Sequence, residues 1–137
     1  MTNNNEFSRI IELNDDILEK KLKINANDIE LKALSKRFEV YNIKFLNAEY
    51  IITPKTDILG AYILTLSVHS EVTKFMIGEK EENILINDKF DIILLDESMA
   101  RNNYEQLKDY DIEIFDNDMQ VDIGEIAAQY LSLCVFM

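Results

Sequence analysis

The sequence comprises 137 residues, 47% apolar and 29% charged, with three Gly and one Pro, which suits one folded domain and excludes a disordered or low-complexity chain. Lys and Arg number 14 against 26 Asp and Glu, and the formal charge of -12 argues against DNA binding or a general RNA clamp, both of which neutralise many phosphates. One Cys and one His cannot make an intramolecular disulfide or a structural zinc site, which points to a reducing compartment.

Residues 1–6 are polar and Asn-rich, lack the basic start and apolar stretch of a secretory signal, and are expected to be disordered. Residues 7–13 alternate Phe7, Arg9, Ile11 and Leu13 against Ser8, Ile10 and Glu12, the pattern of an edge strand. After the turn signal Asn14-Asp15-Asp16, residues 21–26 suit a second short strand. Asn27 followed by Glu30 has capping-box spacing and predicts a helix over 28–38. Leu31, Leu34 and Phe38 share its apolar face, while Asp28, Lys32 and Lys36 line a charged one.

Residues 40–53 and 57–72 are rich in Ile, Val, Thr, Tyr and Phe and are separated by Pro54-Lys55-Thr56, which predicts a long hairpin. In its second arm Tyr62, Leu64, Leu66 and Val68 point one way, and Ala61, Thr65, Ser67 and His69 the other. Further strands are expected at 82–86, 90–95 and 112–115, with turns at Asn87-Asp88 and Asp116-Asn117-Asp118. Residues 97–110 suit a loop or a loose helix. A final helix is predicted over 122–136, with Asp122 and Glu125 at its start and an apolar stripe of Ile123, Ile126, Ala127, Tyr130, Leu131 and Cys134.

The expected fold is therefore α+β: a single domain over residues 1–137, with the helices at 28–38 and 122–136 packed on a mainly antiparallel sheet that could be strongly curved or barrel-like. No apolar run approaches the roughly 20 residues that cross a bilayer. A cytoplasmic protein without membrane contact follows.

Catalytic patterns are weak. His69 and Ser70 are strand neighbours and point to opposite faces, so they cannot readily share a proton. Asp116, Asp118 and Gln120 resemble the start of a calcium loop, but Val121 stands where such a loop needs Gly. Cys134 sits in an apolar stripe, which favours a small buried hydrophobe over a thiolate. Gly60, Gly78 and Gly124 are too far apart for a phosphate-binding loop. No catalytic residue, metal ligand or cofactor is expected.

Charge is more informative. Residues 1–74 carry ten basic and eleven acidic side chains, a net of -1, whereas residues 75–137 carry four basic and fifteen acidic ones, a net of -11. The acidic region containing Asp111, Glu113, Asp116 and Asp118 is the expected docking surface for a basic partner. Lys32, Lys36 and Arg37 are where RNA contact would be sought, against the plainer reading of a solvated helix face.

Three segments resemble the bacterial YceD family, named for an effect on the accumulation of large-subunit ribosomal RNA. They are Glu6-Phe7-Ser8-Arg9, Leu34-Ser35-Lys36-Arg37-Phe38, and Val121-Asp122-Ile123-Gly124-Glu125, which is similar to the Asp-Leu-Gly-Glu opening of that family's last helix. Gly60 and the alternating strand ending in Val68-His69-Ser70-Glu71-Val72-Thr73 stand in the same order. Relatives commonly carry Cys near the place of Ser70 and continue past the place of Met137 with a charged, Pro-containing tail. The resemblance implies a non-enzymatic accessory factor in the synthesis, processing or stability of large-subunit ribosomal RNA. It also implies a ribosomal protein or assembly factor as the basic partner. The alternatives from the residues alone are a divalent-metal-dependent enzyme or a small-ligand-binding domain using the acidic second half.

Overall fold

Residues 7–75, 78 and 80–136 are described by a computed structural model; the segment 1–6, expected to be disordered, lies outside the described residues. In chain order the elements are β1 (Ile10–Glu12), β2 (Leu22–Asn25), α1 (Asp28–Arg37), β3 (Asn42–Pro54), β4 (Tyr62–Phe75) and β5 (Glu81–Leu95). They continue with α2 (Glu97–Asn102), α3 (Tyr104–Leu107), β6 (Asp111–Ile114), β7 (Gln120–Asp122) and α4 (Ile123–Phe136).

Local chemistry sets the start of α1. Asn27 Oδ1 accepts from the Glu30 N–H at 2.8 Å and the Asn27 N–H donates to Glu30 Oε1 at 2.9 Å, the reciprocal capping box that the sequence predicts. Leu31, Leu34 and Phe38 are buried as expected, with Phe38 as the C-cap. The Ser35 hydroxyl donates to the Leu31 carbonyl at 2.7 Å and accepts from the Ile43 N–H at 3.0 Å, tying α1 to β3.

β3, β4 and β5 form an antiparallel meander inside a five-stranded sheet of order β2-β3-β4-β5-β6. The predicted alternation holds along β4: Leu64, Leu66, Val68, Ser70 and Val72 are buried, while Thr65, Ser67, His69 and Glu71 lie on the other face and stay partly exposed. α1 and α4 cover the buried face. Gly60 makes the turn into β4 at φ +87°, a region that an L side chain rarely adopts.

The sheet differs from the sequence reading in four respects. It is open and does not close into a barrel. β5 runs unbroken through Asn87 and Asp88, which pair with His69 and Val68 of β4, so no turn occurs there. The long antiparallel register outweighs the turn preference of an exposed Asn-Asp pair. β6 pairs with β5 in parallel, from Ile92 opposite Asp111 to Leu95 opposite Ile114, and the crossover is made by α2 and α3 over residues 97–107. These helices cover a small second core of Ile58, Ala61, Ile93, Leu95 and Leu107. Finally, β1 joins no part of the large sheet but pairs with β7, a three-residue strand without a sequence signal.

Candidate functional site

Residues 7–9, α1 and the start of α4 meet in space, although more than a hundred residues separate the first from the last. Asp122 Oδ1 accepts from the Arg9 N–H at 2.8 Å and from the Glu125 N–H at 3.1 Å, and Asp122 Oδ2 accepts from the Ser8 hydroxyl at 2.7 Å. One carboxylate therefore caps α4 and anchors the N-terminal segment. Gly124 is required where that segment crosses the helix, because a Cβ there would lie 2.6 Å from the Phe7 carbonyl oxygen and 2.9 Å from the Arg9 nitrogen. Arg9 is the second strut. Its guanidinium donates to both Glu30 oxygens, at 2.7 and 2.8 Å, and to the Asn25 carbonyl at 2.9 Å. Arg37 is the third, with both terminal nitrogens 2.9 Å from the Glu125 carboxylate. The Asp122–Glu125 spacing thus gives a one-way cap, since the Glu125 side chain turns to Arg37 and Gln129 instead of back to its own helix start.

This network is a latch of structural pairs with fully buried Phe7 and Leu34 beneath it. It also alters the expected basic patch. Arg37 is engaged by Glu125, while Lys32 and Lys36 are exposed on α1 without an ion-pair partner among the described residues. The i,i+4 pairing of Asp28 with Lys32 open to that face is not taken up among the described residues. The other first-half bases mostly hold local acids: Lys21 and Lys23 reach Glu49, Lys44 reaches Glu71 and Lys55 reaches Asp57.

The four expected docking acids fall into two pairs. Asp111 and Glu113 project from one face of β6 towards α4, where Tyr130 packs at a tilt against Phe90 with ring centroids 4.6 Å apart. The Glu113 carboxyl is pushed above the usual carboxylate range by burial, and the neighbouring Glu125 charge acts in the same direction. The Tyr130 phenol is pushed up to about 12 by burial and by the charges of Asp111 and Glu113. Asp116 and Asp118 lie in the turn from β6 to β7, where Asp116 Oδ1 accepts from the Asp118 N–H at 3.0 Å. This turn borders an open groove of about 540 Å³ at the carboxyl ends of β5 and β6, lined by Asp96, Glu97, Arg101, Phe115, Asp116 and Gln120 among others. Arg101 is already 3.1 Å from Glu97. Asp109, Asp111, Glu113, Asp116 and Asp118 have no Lys or Arg within ion-pair distance among the described residues, so this end of the sheet carries uncompensated negative charge.

The remaining candidates separate as strand and helix geometry requires. Ser70 is fully buried and its hydroxyl donates to the Phe45 carbonyl at 2.7 Å, beside the irregularity in β3 between Ile43 and Phe45. His69 lies on the opposite face, between Asn47 and Asn87. Cys134 is half-buried rather than sealed in the core, because it sits on the flank of α4 facing β5. Its thiol donates to Asp88 Oδ2 at 3.1 Å, and burial with that carboxylate pushes its pKa up to about 12.

Among the described residues no group of three or more His, Cys, Asp or Glu is placed to hold a metal ion. No helix of the described chain is long and apolar enough to cross a membrane. No protein-family model, curated protein or solved structure matches the chain.

Proposed function

We propose that the protein is a non-enzymatic docking factor whose acidic end, from Asp109 to Asp118 with the adjoining groove, receives a basic protein surface. The observation that carries this reading is the asymmetry of pairing. The basic side chains of the first half are largely engaged by their own acids, whereas Asp109, Asp111, Asp116 and Asp118 are exposed and, among the described residues, have no Lys or Arg within ion-pair distance. Complementary charge of this kind speeds encounter and selects partners. The same field opposes a nucleic acid backbone, and the expected RNA patch is reduced to Lys32 and Lys36 by the Arg37–Glu125 pair.

The resemblance of the latch segments to the YceD family supports a biological setting for this docking. The partner is then a ribosomal protein or assembly factor of the large subunit, met in the cytoplasm, and the outcome is a change in ribosomal RNA accumulation. The test is capture of partners by the full-length protein from bacterial extract, followed by mass spectrometry and repeated at rising salt. Recovery of basic large-subunit proteins that elute as salt screens the exposed charges is the expected result. Recovery of RNA that survives removal of all protein would overturn it.

A further inference from the structure

β5 presents a free edge. β4 occupies one side along its whole length, but β6 occupies the other only from Ile92 to Leu95. Among the described residues nothing pairs with that second side from residue 81 to residue 91. Backbone N–H and C=O groups along such an edge point outward in alternation and form a template for another strand. Natural edges are blunted by shortness, Pro, bulges or coverage. β2, at the far side of the sheet, is blunted by its four-residue length. The β5 edge has no Pro or Gly, and its central Leu85 is 73% exposed on the face left open by α1 and α4.

The side chains around Leu85 are arranged symmetrically. On the open face Asn83 and Asn87 flank it at equal spacing, and beyond them stand Glu81 on one side and Lys89 on the other. On the opposite face Ile84 and Ile86 flank it. An antiparallel copy of the strand with Leu85 opposite Leu85 would set Glu81 against Lys89 twice, Asn83 against Asn87 twice and Ile84 against Ile86 twice. Leu85 would be covered by its own equivalent. One pair in this register is unfavourable, Glu82 against Asp88. Asp88 already accepts the Cys134 thiol, while Glu82 stands in register with Lys74 of β4, whose ammonium donates to the Val135 carbonyl.

We infer that the β5 edges of two copies pair antiparallel about Leu85, giving a two-fold dimer with one sheet continuous through both chains. A second copy is the occupant selected by the pattern, because the charges are of both signs and match themselves at a single register. A foreign basic strand would meet Lys89 and leave it unpaired. This inference is independent of the proposed docking: Asp116, Asp118 and the groove beside them lie past the far end of β6, whereas the free edge stops at its near end, where Asp111 stands beside Ile92.

Sedimentation equilibrium of the full-length protein through the micromolar range tests it, with a limiting mass of twice the 16.0 kDa chain expected. Leu85→Lys places two ammonium groups together on the dyad and should raise the dimer dissociation constant by roughly tenfold or more. Glu81→Lys should weaken the dimer, and Glu81→Lys combined with Lys89→Glu should restore it. Glu82→Lys, which converts the one repulsive pair into an attractive one, should tighten it. In a Cys134→Ser background, Leu85→Cys should oxidise to a cross-linked dimer, since residues directly opposite in an antiparallel pair lie within disulfide reach. Circular dichroism checks that each variant is folded. A wild-type protein that stays monomeric throughout, or a dimer indifferent to the Leu85→Lys and Glu81/Lys89 changes, would overturn the inference.

Discussion

Gly124→Ala separates the packing account from local propensity, because the two give opposite signs. Gly124 is the second residue of α4, where Ala is favoured over Gly by less than the roughly 1 kcal/mol of a helix interior, so α4 viewed alone should still gain some stability. In the folded chain the added methyl would lie 2.6 Å from the Phe7 carbonyl oxygen and 2.9 Å from the Arg9 nitrogen, both backbone atoms that cannot rotate away. Two responses are open to the protein. The segment can shift slightly under strain, which overpacking data place at about 1–3 kcal/mol. Alternatively it can lift off, losing the bonds from Ser8 and Arg9 to Asp122 and from the Ile123 N–H to the Arg9 carbonyl and exposing Phe7. That route costs about 5 kcal/mol at roughly 1 kcal/mol per bond and 2 for the ring. The cheaper response sets the loss, and after the helix gain the net destabilisation is about 1–2 kcal/mol. Urea unfolding followed by far-ultraviolet circular dichroism measures it, with an unchanged slope if only strain is added. A Gly124→Ala protein as stable as wild type, or more so, would refute the claim that this glycine exists to admit the N-terminal segment.

Further outcomes follow from the same contacts. Asp122→Ala removes three hydrogen bonds to one carboxylate and should destabilise by about 3 kcal/mol in the same urea assay, with Asp122→Asn milder. Glu30 is held below the ordinary carboxylate range chiefly by its hydrogen bonds from Arg9. It therefore contributes stability at neutral pH that is lost as pH falls through its folded-state pKa, so Glu30→Gln should melt lower at pH 7 and converge with wild type in acid. Glu113 is shifted the opposite way, mainly by burial, and the folded state binds its proton more tightly than the unfolded chain. Glu113→Gln should accordingly melt higher than wild type at pH 7, an advantage that disappears at low pH. Cys134, raised from 9.0 to about 12, should react with iodoacetamide far more slowly in the folded than in the unfolded protein at neutral pH. Equal rates would contradict the Asp88 contact and the burial that cause the shift.

Much of this fold is legible in the residues themselves. The Asn27–Glu30 spacing marks α1 because both halves of its cap are local, and the alternation along β4 marks the buried face because period two leaves one choice. What the sequence hides is non-local. Asn87-Asp88 reads as a turn, yet fourteen residues of β4 supply partners for a straight strand on which polar groups face solvent. The parallel β5–β6 pairing depends on a crossover whose two short helices bury little beyond Leu107, so its periodicity is faint. β7 is three residues long and has meaning only beside β1. At the candidate site, net charge locates the acidic region but not its division into Asp111 and Glu113 beneath α4 and Asp116 and Asp118 at the turn. The engagement of Arg37 by Glu125 joins residues 88 apart in sequence, a distance over which no spacing rule operates.

Docking of the acidic end to a basic protein is tested most directly by association with two targets, precursor particles of the large subunit and purified ribosomal RNA. Asp109→Lys, Asp116→Lys and Asp118→Lys together reverse the exposed acids without touching the half-buried Glu113. Lys32→Glu and Lys36→Glu reverse the free lysines without breaking the Arg37–Glu125 pair. The acid reversal should slow association with particles, the lysine reversal should leave it nearly unchanged, and wild type should bind naked RNA weakly. Tight RNA binding by wild type, abolished by the lysine reversal and strengthened by the acid reversal, would contradict the docking.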